Sequence, residues 1–246
     1  MQNVSDLYNF INFIADKNRR GYLSPEEISQ ALSSAQVDLW NYYWGLPQTA
    51  QSLKGGAPNP DYGSSQLTID ALSPFRARTQ VTPGPDGIIY LYNNNVLYQI
   101  PDFGHFIGMF KIKTATNEIS GIDQYLNSEI VETLKSTLYP VTADNQVFVF
   151  ENDLIQLYPR VQMPAGYKAE VHYIALPNDV VINYNVTGNT ITIINNTNPN
   201  LGQYSVQPQF DSTYWVELVA RALPYVGVNL SAQEVQALAN QQIQSV

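Results

Sequence analysis

Val4-Ser-Asp-Leu-Tyr-Asn-Phe-Ile-Asn-Phe-Ile-Ala-Asp-Lys17 stands near the start of the chain, and its counterpart near the other end is Trp215-Val-Glu-Leu-Val-Ala-Arg-Ala-Leu223. In the first stretch Val4, Leu7, Tyr8, Ile11, Ile14 and Ala15 recur at i, i+3, i+4 and i+7, which is one face of an α-helix. In the second, Trp215, Val216, Leu218, Val219, Ala222 and Leu223 form a helix that stops near Pro224 and Gly227. Each has a neighbour of the same kind. After the first, Ser24 caps the free amides, Pro25 suits the first helical position and Glu27 completes a capping box; the stripe continues through Ile28, Ala31, Leu32, Ala35 and Leu39. After the second, Ser231 and Glu234 open a helix through Val235, Leu238 and Ile243. Helices this short are marginal in water alone, so the two ends are expected to meet in one helical layer.

Between them the chain turns to strand patterns. Ile88 to Tyr92 and Val96 to Ile100 flank the turn-prone Asn93-Asn94-Asn95, a hairpin pattern. Phe106 to Lys113, Val147 to Glu151, Leu154 to Tyr158, Ala169 to Ala175, Val180 to Val186 and Thr190 to Ile194 follow, the last two joined across Thr187-Gly188-Asn189. Leu126, Ile130, Leu134 and Leu138 lie four apart, which predicts a helix over 122–138 closed by Pro140. The expected class is α+β: a helical layer formed by the N- and C-terminal helices, plus a mainly antiparallel β-domain with an inserted helix. The expected divisions are a helical hairpin over 1–46, an extended Pro/Gly-rich arm over 47–86, the β-rich domain over 87–210 and the C-terminal helices over 211–246. Lys54-Gly-Gly-Ala-Pro-Asn-Pro60 and Pro83-Gly-Pro-Asp-Gly87 are the breakers of the arm. Leu67, Ile69, Leu72 and Phe75 are its expected docking point, and the arm is expected to lie on an adjacent subunit.

Composition sets the outer limits. At 246 residues, 44% hydrophobic and 12% aromatic, the chain can bury a sizeable core. No run reaches the roughly 20 apolar residues that cross a bilayer, and the N-terminus lacks the basic start and apolar block of a secretory signal. With no cysteine, disulfides, thiol catalysis and zinc-thiolate sites are excluded together. Twelve basic residues against 21 acidic ones, a net charge of -9, leave little to displace counterions from nucleic acid. The polar load falls on Asn, Gln, Ser, Thr and Tyr, which can be buried against neighbours at small desolvation cost.

Motifs for chemistry are scarce. Asp16 to Glu27 resembles an EF-hand calcium loop, with Asp16, Asn18, Gly21 and Glu27 at their places, but Arg20 puts a fixed positive charge where an oxygen ligand belongs. The loop is read as non-binding: Gly21 supplies a turn and Ser24 to Glu27 start a helix. His105 and His172 are the only histidines, and neither has metal-ligand spacing. No nucleophile elbow, phosphate loop or dinucleotide fingerprint occurs. No enzyme, metal or cofactor is therefore expected. Most tyrosines alternate in strand patterns, where packing is their ordinary role. Trp40, Tyr43, Trp44, Leu72, Phe75 and Trp215 are the residues expected to make partner contacts.

Several segments together resemble a known family. Phe10-Ile-Asn-Phe-Ile-Ala-Asp-Lys17, Gly21-Tyr-Leu-Ser-Pro25, Ala35-Gln36, Leu138-Tyr-Pro140, Ile155-Gln-Leu-Tyr-Pro159, Val171-His-Tyr-Ile-Ala-Leu-Pro177 and Leu218 to Leu230 are similar, in that order, to virion structural proteins of crAss-like tailed bacteriophages. Asp179-Val180-Val181 departs from it, standing where that family carries an aromatic residue. The resemblance implies a non-enzymatic ring protein of the head-to-tail connector, or neck. Such a protein forms a dodecamer between portal and tail, contacts the portal protein and other connector or tail rings, and surrounds passing genomic DNA. It implies location in the virion after assembly in the host bacterial cytoplasm, without a membrane. Two other readings stand beside it: a glycan- or receptor-binding virion or surface module, and an EF-hand-like calcium-binding protein.

Overall fold

The computed structural model describes residues 3–17, 21–53 (backbone alone from 46), 68–91, 100, 102–136, 140–151, 154–188, 190–195, 197–199, 203–228, 234 and 237. The fold is α+β, as expected, and the chain divides into two compact units. One is built from 1–74 and 177–246, the other from Phe75–Leu176. The expected helix over 231–243 lies outside the described residues apart from Glu234 and Ala237, as do residues 54–67 of the expected arm.

In the helical unit, α1 (Val4–Lys17) buries the predicted stripe together with Phe10. The chain then turns at Gly21, whose φ of 77° lies in the region that favours glycine. Leu23 N–H donates to Asn12 Oδ1 at 3.0 Å, which ties the turn back to α1. α2 (Pro25–Leu53) starts on the predicted capping box: Ser24 N–H donates to Glu27 Oε2 at 2.9 Å, and Glu27 N–H donates to Ser24 Oγ at 3.2 Å. It remains helical to Leu53, beyond the expected end at 46. The C-terminal helix, which we number α4 (Trp215–Ala222), packs on α2 through Trp215, Leu218, Val219 and Ala222. A 3-10 turn over Leu223–Val226 follows, closed by Gly227 at φ 78° with Gly227 N–H on Pro224 O at 3.0 Å and Val228 N–H on Leu223 O at 2.9 Å. The helical layer joining the two ends is therefore present.

A second seam of the helical unit is polar. Ser29, Ser33 and Gln36 lie on one face of α2, and Gln36 is fully buried. Ile182 N–H donates to Ser29 Oγ at 3.0 Å, Val180 N–H to Ser33 Oγ at 2.9 Å, and Gln36 bridges Asn178 O and Gln209 N–H, each at 2.7 Å. These bonds satisfy an extended backbone whose sheet contact, among the described residues, is the single bridge Val181 to Val206. They place the chain after Pro177, including the hairpin β9 (Tyr184–Thr187) and β10 (Thr190–Ile193), with the helices. The expected β-rich span of 87–210 is thus replaced by 75–176, because α2 holds 178–182 by side-chain hydrogen bonds.

The β-rich unit contains β1 (Arg76–Val81), β2 (Ile88–Tyr90), β3 (Phe103–Lys113), β4 (Ile119–Gly121), β5 (Asp123–Tyr125), β6 (Val147–Glu151), β7 (Leu154–Tyr158) and β8 (Tyr167–Ala175). One antiparallel sheet runs β1-β8-β3-β4; the other runs β2-β7-β6-β5, with β5 parallel to β6. Residues 119–125 pass from one sheet to the other at Ile122, whose N–H donates to Met109 O at 3.2 Å. Ile89, Leu91, Phe103, Met109, Phe148, Leu157 and Val171 lie in the core between them. Gly87 turns the chain into β2 at φ 70°, where a Cβ would stand 3.2 Å from Leu157 Cβ and from Val161 O.

Two expectations are corrected here. Of the helix expected over 122–138, the described residues are helical at α3 (Ile130–Leu134) alone, because pairing with β3 and β6 draws 119–125 into the sheets. The arm over 47–86 is shortened at both ends, since α2 runs on to Leu53 at one, and at the other 68–71 form a helical turn and Arg76–Val81 is a six-residue strand on β8.

Candidate functional site

Most of the side chains expected to reach a partner serve the chain's own core. Trp40, Tyr43, Leu72, Phe75 and Trp215 are all at least 96% buried, and Trp44 is half-buried. Tyr43 lies edge-on to Tyr42 and Tyr214, against Phe210, and its hydroxyl donates to Glu217 Oε2 at 2.9 Å. Burial and the neighbouring Glu217 carboxylate both push its pKa well up, so the phenol stays protonated. Trp215 Nε1 donates to Phe210 O at 2.9 Å. These aromatics cement the helical layer and are not a free surface. Clustered aromatics mark interfaces and cores alike, so the sequence pattern alone does not separate the two.

Of the EF-hand-like loop, Asn18 and Arg20 lie outside the described residues, and Asp16 is exposed at the end of α1. Glu27, which would be the last calcium ligand, has its carboxylate on the Ser24 amide. Among the described residues no three His, Cys, Asp or Glu side chains gather as a metal cluster.

The two histidines differ. His105 is pushed below its ordinary pKa by burial. His172 Nε2 lies 2.7 Å from Glu170 Oε1, while Gln80 Nε2 donates to Glu170 Oε2 at 3.0 Å. The Glu170 side chain is 6% exposed, and these two hydrogen bonds hold its carboxyl below the usual carboxylate range despite burial. Glu170 and Gln80 line a groove of about 440 Å³ on the outer face of the first sheet, together with Arg78, Ile112, Asn117 and Ile119. A buried lysine, Lys111, donates to Ala143 O and Asp144 O at 3.2 and 3.1 Å and lies over the Tyr167 ring. Burial lowers its pKa.

The helical unit carries a groove of about 360 Å³ between α2 and the 3-10 turn, lined by Leu23, Glu27, Gln30, Ser34 and Tyr225. Tyr225 is half-exposed, its hydroxyl fixed by Asp38. Three exposed apolar side chains of the β-rich unit fall within one short stretch: Leu126, Val131 and Leu134 are 61, 54 and 43% exposed around α3, while Ile130 turns inward. No described helix is long and apolar enough to cross a membrane.

The described residues thus present a helical layer, a sheet face with a buried charge, and an exposed apolar stretch. No family model matches the chain, and no curated protein is similar to it in sequence.

Proposed function

We propose that this chain is a non-enzymatic structural subunit of a virion, a ring protein of the head-to-tail connector of a tailed phage. On this reading it stacks between portal and tail, and copies of it surround the path of the genome. The observation that carries it is the exposure of Leu126, Val131 and Leu134 within nine residues. Apolar side chains left in water at this density favour burial against another protein. The ordered segments that resemble crAss-like phage connector proteins name the partners: further copies, the portal protein and adjoining rings. The net charge of -9 supports a surface along which DNA passes without binding. The test is the mass and symmetry of the native particle by native mass spectrometry and electron microscopy. A cyclic oligomer that copurifies with portal or tail components is expected; a monomer absent from virions overturns the reading.

One observation favours a second reading as a glycan- or receptor-binding module. The groove at Tyr225 sets an aromatic ring beside Glu27, Gln30 and Ser34, the combination that receives a sugar ring and its hydroxyls. A glycan array in which binding is lost in Tyr225→Ala would favour it over the connector reading.

A further inference from the structure

We propose that copies of this chain join through the first sheet of the β-rich unit, the outer edge of β1 in one copy pairing with the outer edge of β4 in the next. The inference rests on the ring reading and adds the surfaces that would close the ring.

Among the described residues, β1 pairs only with β8 and β4 only with β3, so the sheet ends in two unpaired edges. Such edges offer a row of N–H and C=O groups to another chain. All three pairings in this sheet are antiparallel, so β4 runs opposite to β1. A second copy in the same orientation therefore brings its β1 alongside β4 antiparallel, and the alternation continues unbroken.

Charge decides which edges meet. Arg76 and Arg78 on β1 are exposed, and neither forms an ion pair with a described residue. The β4 edge is exposed throughout and is flanked by the exposed Glu118 and Asp123. Glu118 lies 3.6 Å from Lys113, but with side chains 70 and 41% exposed that pair is weak and leaves the carboxylate available. Pairing β1 with β1 sets arginines against arginines, and β4 with β4 sets carboxylates against carboxylates. Pairing β1 with β4 sets opposite charges together. Contact between two unlike edges of identical subunits is head-to-tail, and it closes as a ring when the rotation per step divides a full turn.

The groove face adds an apolar match. Arg78 and Ile119 line the same side of the sheet, and Ile119 is 62% exposed. A neighbouring Arg78 would lay its aliphatic stem on Ile119 while its guanidinium reaches the acidic flank.

The experiment follows the full chain across a concentration series by native mass spectrometry, with hydrogen exchange read at 76–81 and 119–121. Expected is an oligomer whose formation protects both strands. Arg76→Glu with Arg78→Glu should weaken association by at least about tenfold, and adding Glu118→Arg with Asp123→Arg to the same chain should restore it. That restoration separates lost pairing from lost folding. An oligomer whose two strands stay unprotected, or whose mass ignores the charge reversals, overturns the edge pairing and leaves the ring reading standing. A chain that stays monomeric throughout and is absent from virions overturns both.

Discussion

The Tyr43 hydroxyl donates to Glu217 Oε2 across 2.9 Å, and that one bond joins the N-terminal helix pair to the C-terminal helix over 174 residues of sequence. Glu217 is also held by Arg221 Nη2 at 3.0 Å, so its carboxylate stays paired when the tyrosine loses its hydroxyl. Tyr43→Phe is therefore expected to cost only about 1 kcal/mol. Trp215→Ala removes a buried ring as well as a bond to Phe210 O, and is expected to cost about 3–5 kcal/mol. Urea denaturation of the two variants checks the ratio.

The capping box gives a sharper separation of readings. Ser24→Ala removes the oxygen that receives Glu27 N–H and should cost about 1 kcal/mol. Because Glu27 is committed to the Ser24 amide, calcium is expected to leave the melting temperature of the wild-type chain unchanged. Thermal scans with calcium and with chelator measure both, and a calcium-dependent rise would restore the EF-hand reading.

Glu170 predicts a pH dependence. Its pKa is lowered in the folded chain by His172 first and Gln80 second, from an ordinary 4.5. The native state thus prefers the ionised form, and its contribution is fully present above about pH 4.5. It is lost as pH falls through the lowered value, where the folded carboxyl finally takes its proton. Melting temperature should fall over that acid window, and Glu170→Gln should flatten this part of the profile. An unchanged slope in the variant would assign the acid sensitivity to other carboxylates.

How far the sequence carried these features depends on where each element's stabilisation comes from. Val147–Glu151 and Leu154–Tyr158 are strands at their predicted bounds, because their apolar runs supply the core of their own sheet. The helical stripes and the Ser24 box were legible for the same reason: the information is local. Arg76–Val81 falls within the Pro/Gly/Ser-rich stretch that reads as arm, and its Arg76, Arg78 and Gln80 give a polar edge that only pairing with β8 converts into strand. The spacing of Leu126, Ile130, Leu134 and Leu138 predicts a helix from Ile122, yet Ile122 N–H bonds to β3 and Asp123–Tyr125 pairs with β6. The ladder of Ser29, Ser33 and Gln36 was invisible as well, since small polar residues on a helix face carry no periodic apolar signal. The same blindness affected the surfaces: Trp40, Tyr43 and Trp215 looked like contact residues, and only packing reveals them as core.

Gly87 tests the turn that starts β2. At φ 70° an added Cβ is strained in itself, and it would also press on Leu157 and on the Val161 carbonyl at 3.2 Å. Gly87→Ala is expected to destabilise the β-rich unit by more than about 1 kcal/mol. The loss should appear as faster hydrogen exchange at Leu157, whose N–H donates to Gly87 O at 2.8 Å, before the helical unit is affected.

Leu126, Val131 and Leu134 bear most directly on function. They are exposed, so replacing them should change the stability of the isolated chain by no more than about 0.5 kcal/mol. Ile130 is 95% buried between them, and Ile130→Ala should instead cost about 2–5 kcal/mol. If the exposed three meet a partner, Leu126→Ser with Val131→Ser and Leu134→Ser leaves a folded chain that fails to enter particles. Sedimentation of virions assembled with this triple variant, beside its melting temperature, reads both quantities. Normal incorporation would remove the apolar stretch from the contact surface and with it the main support for the connector reading.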